Sequence, residues 1–340
     1  MKRVLVVGGG LIGARHLASV AAHPDCTLVG LVDPNPSLDV PSGITRWNNI
    51  EEVRGAVDGV ILATPTDLHA KQGVYAAERG WHMLIEKPVA HDLDAALMLE
   101  RAVAKHGVAS MVGHHRRYHA SVQQLKTLIA SGGIGTPVAA NLIWAMRKPD
   151  SYFVGNWRTA GGSPVMINVV HDIDLLRFVL GEIASVSAVG GRALRGTDRI
   201  ESGAIAIAFE SGATGTITFA DNSPSPWGFE AGTGENPNIG TTGQDMMWIV
   251  GTSGAISYPS MRLWNGTDWS IPAQEKPLSP QPNEKPPLDA QLDHFVAVMN
   301  GAAPLIDVID AARTLEIALE IETQLTAQQI GEAHARSAHA

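Results

Sequence analysis

The sequence predicts an α/β chain of two domains: a doubly wound parallel sheet at the N-terminus, then an α+β domain on a mostly antiparallel sheet. Through the first third, short continuous apolar runs alternate with amphipathic stretches. Strands covered on both faces read that way, because neither side of a parallel sheet meets water. Past about residue 125 the alternation stops, and from Ile183 onward the signals are those of hairpins.

Strands are expected at Arg3–Val7, Thr27–Val32, Gly59–Ala63, His82–Ile85 and Val108–Val112. Between them, Leu11–Ala22, Asp67–Arg79 and Asp92–His106 repeat apolar residues at helical spacing. Asp67 and Asp92 read as N-caps, Gly80 and Gly107 as stops. The repeated strand–helix–strand order implies crossovers and a doubly wound sheet. A helix at Val122–Ala130, a long strand at Val138–Arg147 and a helix at Met166–Leu180 follow. Ala204–Phe209 and Thr214–Ala220 flank the turn Glu210-Ser211-Gly212-Ala213, and Met246–Val250, Ala255–Tyr258 and Met261–Trp264 extend the sheet. Asn222–Gly243 and Pro272–Pro287 read as loops, the first a candidate lid or subunit contact carrying Trp227 and Phe229. Helical spacing returns at Leu292, Phe295, Val296 and Met299, then at Ile317, Ile321 and Leu325. The domains are expected at 1–121 and 122–330, with the terminal helices as candidates to pack back on the first.

Composition narrows the function. The chain has 340 residues, with 25 Lys+Arg against 34 Asp+Glu and a formal charge of −9. A nucleic-acid partner needs a basic surface, so none is expected. No stretch approaches the ~20 apolar residues of a membrane helix, so no membrane partner is expected either. One cysteine, Cys26, cannot form an intrachain disulfide and reads as a packing residue in a reducing compartment, the cytoplasm.

Gly8-Gly9-Gly10-Leu11-Ile12-Gly13 matches G-x-G-x-x-G, follows an apolar strand and opens a helix. The second strand ends in Asp33, at the distance expected for a ribose-binding acid. Gly8 permits the tight turn, Gly10 lets backbone N–H groups reach a pyrophosphate, and Gly13 lets the helix approach the strand. Together they predict a Rossmann-type dinucleotide site, with Leu11 and Ile12 in the same loop. A carboxylate at Asp33 would repel a 2′-phosphate, and no Arg or Lys follows before Arg46, so NAD is favoured over NADP.

Glu86-Lys87-Pro88 follows the strand His82–Ile85. The same tripeptide recurs at Glu275-Lys276-Pro277 and Glu284-Lys285-Pro286, without an apolar strand before it. Lys87 alone stands where doubly wound sheets bind ligands, at the C-terminal end of a parallel strand. Further residues complete a pattern: Gly8–Gly13 with His16, Ala63-Thr64-Pro65 with His69, Gly113 to Tyr118, and Gly161-Gly162 leading to His171 and Asp174. With them the chain resembles the glucose–fructose oxidoreductase/inositol dehydrogenase (Gfo/Idh/MocA) family over nearly its whole length.

The resemblance implies a large open sheet in the second domain, through which chains pair as a homodimer or homotetramer. It implies that Lys87 and His171 meet the substrate hydroxyl. It also implies that Thr64, Pro65 and His69 line the middle of the cofactor and Glu86 its nicotinamide side. Two positions depart from the family pattern. Ile167 stands where many sugar and polyol dehydrogenases carry Asp, leaving Asn168, three residues before His171, as the nearest polar group. His115 stands where relatives often carry Asn, and is a candidate to reach the cofactor.

The expected activity is hydride transfer between nicotinamide and a secondary alcohol carbon of a sugar, cyclitol or related polyol. Lys87 and His171 handle the proton, and Asn168 hydrogen-bonds the hydroxyl. Trp157 and Arg158 are candidates to line the substrate pocket with Asn168 and His171. Asp172 and Asp174 are expected as helix-surface or cap groups, and Arg116 and Arg117 as loop anchors to backbone carbonyls. His115 and His119 have i, i+4 spacing, but no cysteine cluster or H-E-x-x-H accompanies them, so no metal is expected. An enzyme that retains NAD through transient oxidation, and a non-catalytic NAD-binding sensor, are the alternatives.

Overall fold

In the computed structural model, residues 1–38, 43–153, 163–191, 194–195 and 199–338 are described. They fall into two units: Met1–Tyr118 with Lys285–Glu316, and His119–Glu284 with Ile317–Ala340.

The first unit holds β1 (Lys2–Val7), β2 (Cys26–Val32), β3 (Thr45–Trp47), β4 (Gly59–Leu62), β5 (His82–Ile85) and β6 (Ser110–Val112). They form one parallel sheet in the order β3-β2-β1-β4-β5-β6. All five expected strands are present. β3 was not expected: three residues at an edge, none of them buried, give no apolar run. Helices α1 (Leu11–Ala22), α2 (Thr66–Glu78) and α3 (Leu93–His106) connect the strands. Asp92 caps α3 by accepting from the Ala95 N–H at 2.7 Å, and Gly107 stops it with φ 63°. α2 differs from expectation. Pro65 holds its N-cap position, and Asp67 lies inside the first turn, where its charge meets the helix dipole. Helix α7 (Pro287–Val298) adds Leu292, Phe295 and Val298 to a core containing Val4, Val6, Leu31, Ile61 and Leu84. Cys26 belongs to that core, and burial pushes its thiol up to about 11, so it packs as a neutral group.

The second unit holds β7 (Pro137–Ala145), β8 (Ile183–Gly190), β9 (Ser202–Phe209), β10 (Thr214–Ala220), β11 (Met247–Gly251), β12 (Gly254–Tyr258), β13 (Arg262–Asn265) and β14 (Gln274–Pro277). Their order is β14-β13-β12-β11-β7-β10-β9-β8, antiparallel except for β7 beside β10. Burial alternates along the strands. Leu142, Ile205, Ile207, Ile217 and Phe219 are buried, while Asn141, Ala206 and Thr216 are exposed. Helices α4 (Ala120–Ala130), α5 (Val170–Leu180) and α6 (Phe229–Thr233) belong to this unit, and α8 (Val308–Ala338) closes the described chain. No helix among the described residues is long and apolar enough to cross a membrane.

Three local expectations change. The helix expected at Met166–Leu180 opens as a π-helical turn, Val165–Val169, before α5 begins. The expected loop Pro272–Pro287 contains β14, an edge strand on which Pro277 is tolerated because no further strand needs its missing N–H. The expected lid Asn222–Gly243 contains α6, whose Phe229 is fully buried and stacks on Tyr258 at 5.9 Å. Phe229 is therefore a core anchor.

Candidate functional site

The chain leaves β1 at Val7 and turns on Gly8, whose φ is 95°. A Cβ there would lie 2.5 Å from the Ala63 carbonyl oxygen, so both conformation and space require glycine. Gly13, in the first turn of α1, is more confined: a Cβ would lie 1.9 Å from the Gly8 carbonyl oxygen. Gly10 is different. Its φ of −63° suits any residue, and a Cβ there would meet nothing within 4 Å among the described residues. No side chain caps the N-terminus of α1. The loop thus leaves open space in front of a helix start whose N–H groups suit an anion. Leu11 is 82% exposed at the mouth of this space, with Ile12 half-buried behind it.

Asp33 follows β2. Its Oδ2 accepts from the Gly9 N–H at 2.7 Å and its Oδ1 from the Asn35 N–H at 2.8 Å. The carboxylate is fixed to the glycine loop itself, and each oxygen keeps a lone pair for a ribose hydroxyl. These groups fit a dinucleotide with an unphosphorylated ribose.

The turns after β4 and β5 are tied together. Thr64 donates from its hydroxyl to Gln72 Oε1 at 2.6 Å. His69 is buried, with Nδ1 2.9 Å from the Pro88 oxygen and Nε2 2.9 Å from the Thr64 oxygen. Burial lowers its pKa against the pull of these two carbonyls. A neutral imidazole donates to one of these carbonyls at a time, so His69 joins the two turns through whichever nitrogen carries the proton.

Glu86, at the end of β5, is buried and lies 2.8 Å from His16 Nε2 of α1. Its other oxygen accepts from the Lys87 N–H at 3.2 Å. Burial alone would raise the Glu86 pKa. The His16 hydrogen bond and the charges of His16, Lys87 and His115 outweigh it and bring the carboxyl to about 2. Gly113 leaves room for this carboxylate, since a Cβ there would come within 3.0 Å of it. Lys87 itself is half-buried, joined to Pro88 by a cis peptide bond. The first unit therefore gathers Gly8–Gly13, Asp33, Thr64, Glu86 and Lys87 around the C-terminal ends of β1, β2, β4 and β5, the edge where such sheets bind ligands.

His115 is half-buried in the turn after β6. Arg116 and Arg117 are buried, and Arg117 pairs with Asp310 at 2.6 Å.

In the second unit, His171 is buried in the first turn of α5. Asn168 lies in the π-helical turn before it, and its Oδ1 accepts from Lys148 Nζ at 2.6 Å. Asp172 and Asp174 are buried, 0% and 1% exposed, contrary to the surface role expected of them. α5 is covered on every side, so its polar groups also lie inside. Trp157 and Arg158 lie outside the described residues.

Lys148 and the His16–Glu86 pair escaped sequence reasoning. His16 had a place in the pattern but no role. Lys148 follows β7 in an uninformative Arg147-Lys148-Pro149, and its ion-pair partner Asp221, 3.9 Å away, follows β10. The parallel pairing that brings those two strand ends together was not legible.

Residues 2–114 match the model of the oxidoreductase family with an NAD-binding Rossmann fold, and residues 122–257 that of the GFO/IDH/MocA C-terminal domain. The chain belongs to this family. It is 28% identical to scyllo-inositol 2-dehydrogenase (NAD(+)) of Bacillus subtilis, over 93% of this chain and 92% of that one. It is 35% identical to 1,5-anhydro-D-fructose reductase of Ensifer adhaerens, over 48% of this chain and 51% of the relative. Among solved structures, an oxidoreductase from Agrobacterium radiobacter with NAD+, L-tartaric acid and magnesium superposes with a TM-score of 0.76 at 18% identity, covering 96% of both chains. The WlbA dehydrogenase of Bordetella pertussis, in complex with NADH and UDP-GlcNAcA, gives 0.76 at 22% identity, covering 95% of this chain and 96% of that one. These two show the shared fold.

The Glu86 carboxyl sits at about 2 in the folded chain against an ordinary 4.5. Its stabilising contribution is therefore complete above 4.5 and is lost as pH falls toward 2; it is on the order of 3 kcal/mol. Urea unfolding at about pH 5 and about pH 3 checks this. The unfolding free energy of Glu86→Gln should fall less between the two than that of the parent, and equal falls would contradict the pairing.

Proposed function

We propose that this chain is an NAD-dependent dehydrogenase acting on a secondary alcohol carbon of a sugar, cyclitol or related polyol. The observation that carries the reading is the placement of Lys87. It follows the buried Glu86 at the end of β5, with its backbone held by that carboxylate and by the turn His69 joins. A lysine fixed at that edge of the sheet, beside a glycine loop open to a pyrophosphate, is placed for proton chemistry next to a bound dinucleotide. Relatives named as inositol and anhydrofructose enzymes support polyols as the substrate class.

Bound at this loop, NAD would supply the hydride chemistry at the alcohol carbon. The chain's own groups do the rest. Backbone N–H groups at the start of α1 would hold the pyrophosphate, and Asp33 would accept from the ribose hydroxyls. Thr64, Pro65 and His115 complete the cofactor's surroundings, with Leu11 and Ile12 flanking the loop. Lys87 Nζ takes the proton of the substrate hydroxyl in oxidation and holds the developing negative charge on that oxygen. His171 passes the proton onward, since an imidazole changes charge near neutral pH. Asn168 has no ionisable proton and serves to orient the substrate. The single buried cysteine fits a cytoplasmic enzyme.

The second sheet supplies the oligomer contact in this reading. Ser187, Ala206, Thr216, Asn141 and Trp248 pair in one cross-strand row on the face opposite Ile205, Ile217 and Leu142. Uncharged residues in a row, four of the five small, offer a surface that suits a second copy. Light scattering should give the mass of two or four chains; a single-chain mass would overturn this.

Lys87→Ala should retain NAD binding and lose at least ~10²-fold in turnover. Reduced-cofactor absorbance during a screen of sugars, cyclitols and sugar acids measures it. Turnover by the variant at the parent rate would refute the role. An enzyme that retains its NAD would show no accumulation of NADH while product forms.

A further inference from the structure

Lys148 follows β7, and its main chain is locked on both sides. Its N–H donates to the Asp221 oxygen at 2.9 Å, and its carbonyl accepts from Arg195 at 3.2 Å. Its stem lies against aromatic faces, with Nζ 5.3 Å from the Trp144 ring centre and 5.0 Å from that of Tyr152. From there Nζ donates to Asn168 Oδ1 at 2.6 Å.

An ammonium group can only donate. The atom it touches on Asn168 must therefore be the oxygen, and the orientation of the amide is fixed. Nδ2, with two N–H donors, is turned away from Lys148. The helix face preceding His171 accordingly offers donors to whatever lies against it. A carboxylate there, as in the family pattern, would offer an acceptor to a substrate hydroxyl; Ile167 offers neither.

The charges behind Asn168 are paired: Lys148, Arg195 and Arg199 face Asp221, Glu201 and Asp150, and Lys148 is the one of them that touches the amide. Asp221 is fully buried and is met by Arg195 at 2.6 Å, Arg199 at 2.6 Å and Lys148 at 3.9 Å. Glu201 accepts from the backbone of Leu194 and Arg195 and from Asn222 Nδ2. A donor amide polarised by the Lys148 ammonium matches an oxygen group that accepts and carries negative charge.

We propose that Lys148, acting through Asn168, sets substrate specificity, and that the substrate class is a polyol bearing a carboxylate. This rests on the reading of Asn168 and His171 as substrate-facing. Lys148 is a positioning residue: it orients the Asn168 amide and biases the local potential. Asn168 Nδ2 donates to the substrate carboxylate. No proton or bond changes at either residue.

The test uses the full chain saturated with NAD and matched pairs of probes: D-gluconate against D-glucitol, and D-glucuronate against D-glucose. Calorimetric titration near pH 7 should show each acid bound at least ~10-fold tighter than its neutral partner. Asn168→Asp, which replaces the donor by an acceptor, should bring each pair within about threefold or reverse it. Lys148→Gln keeps a donor toward Asn168 and removes the charge, so part of the preference should survive. Lys148→Met, which removes both, should lose the preference. NAD affinity is the folding control, because the cofactor loop belongs to the first unit.

A parent chain that binds acids and neutral polyols alike overturns the inference while leaving the dehydrogenase reading intact. So does an Asn168→Asp variant with undiminished preference for the acid. If the parent binds none of the four probes and reduces no NAD with any of them, the polyol reading and the inference fail together.

Discussion

The first unit depends on one close approach of backbone to backbone. α1 begins so near the turn after β1 that a Cβ on Gly13 would lie 1.9 Å from the Gly8 oxygen. That contact sets where the helix N-terminus points, and other groups are hung from it. The Gly9 N–H holds the Asp33 carboxylate, and Ala63 of the neighbouring strand end lies against Gly8. Farther along α1, His16 reaches the buried Glu86, which holds the Lys87 backbone. The same helix therefore presents the anion site at its start and supports the lysine through His16, in its second turn. A buried charge such as Glu86 is tolerated because His16 and the Lys87 N–H occupy its oxygens; removing His16 leaves a buried charge short of a partner.

The sequence made this unit legible because its signals are local. Continuous apolar runs mark β1, β2, β4, β5 and β6, and Asp92 and Gly107 mark the ends of α3. The glycine motif announces a conformation that side chains forbid at Gly8 and Gly13. β3 was silent because an edge strand of three residues needs no apolar face. The His16–Glu86 pair was silent because it joins residues 70 apart in sequence, and neither residue type signals the other.

Less of the second unit was legible. Its hairpins follow from turns and alternation, but β7 lies parallel to β10 at the centre of the sheet, and parallel neighbours share no turn. That pairing sets Lys148 and Asp221 at adjacent strand ends. The proline-rich segment hid β14, because prolines at an edge do not interrupt a ladder they merely border. Phe229 read as part of a lid because its surroundings are polar in sequence, yet its ring is wholly buried. Burial of Asp172 and Asp174 follows from the position of α5, which no pattern within the helix reveals.

In the proposed reading the open space over Gly10 is kept for a pyrophosphate. Gly10 separates this from fold maintenance, since a Cβ there meets nothing within 4 Å among the described residues and its φ of −63° suits alanine. Gly10→Ala should unfold at the same temperature as the parent and bind NAD at least ~10-fold more weakly by calorimetric titration. An alanine variant that binds NAD as tightly as the parent would contradict the account.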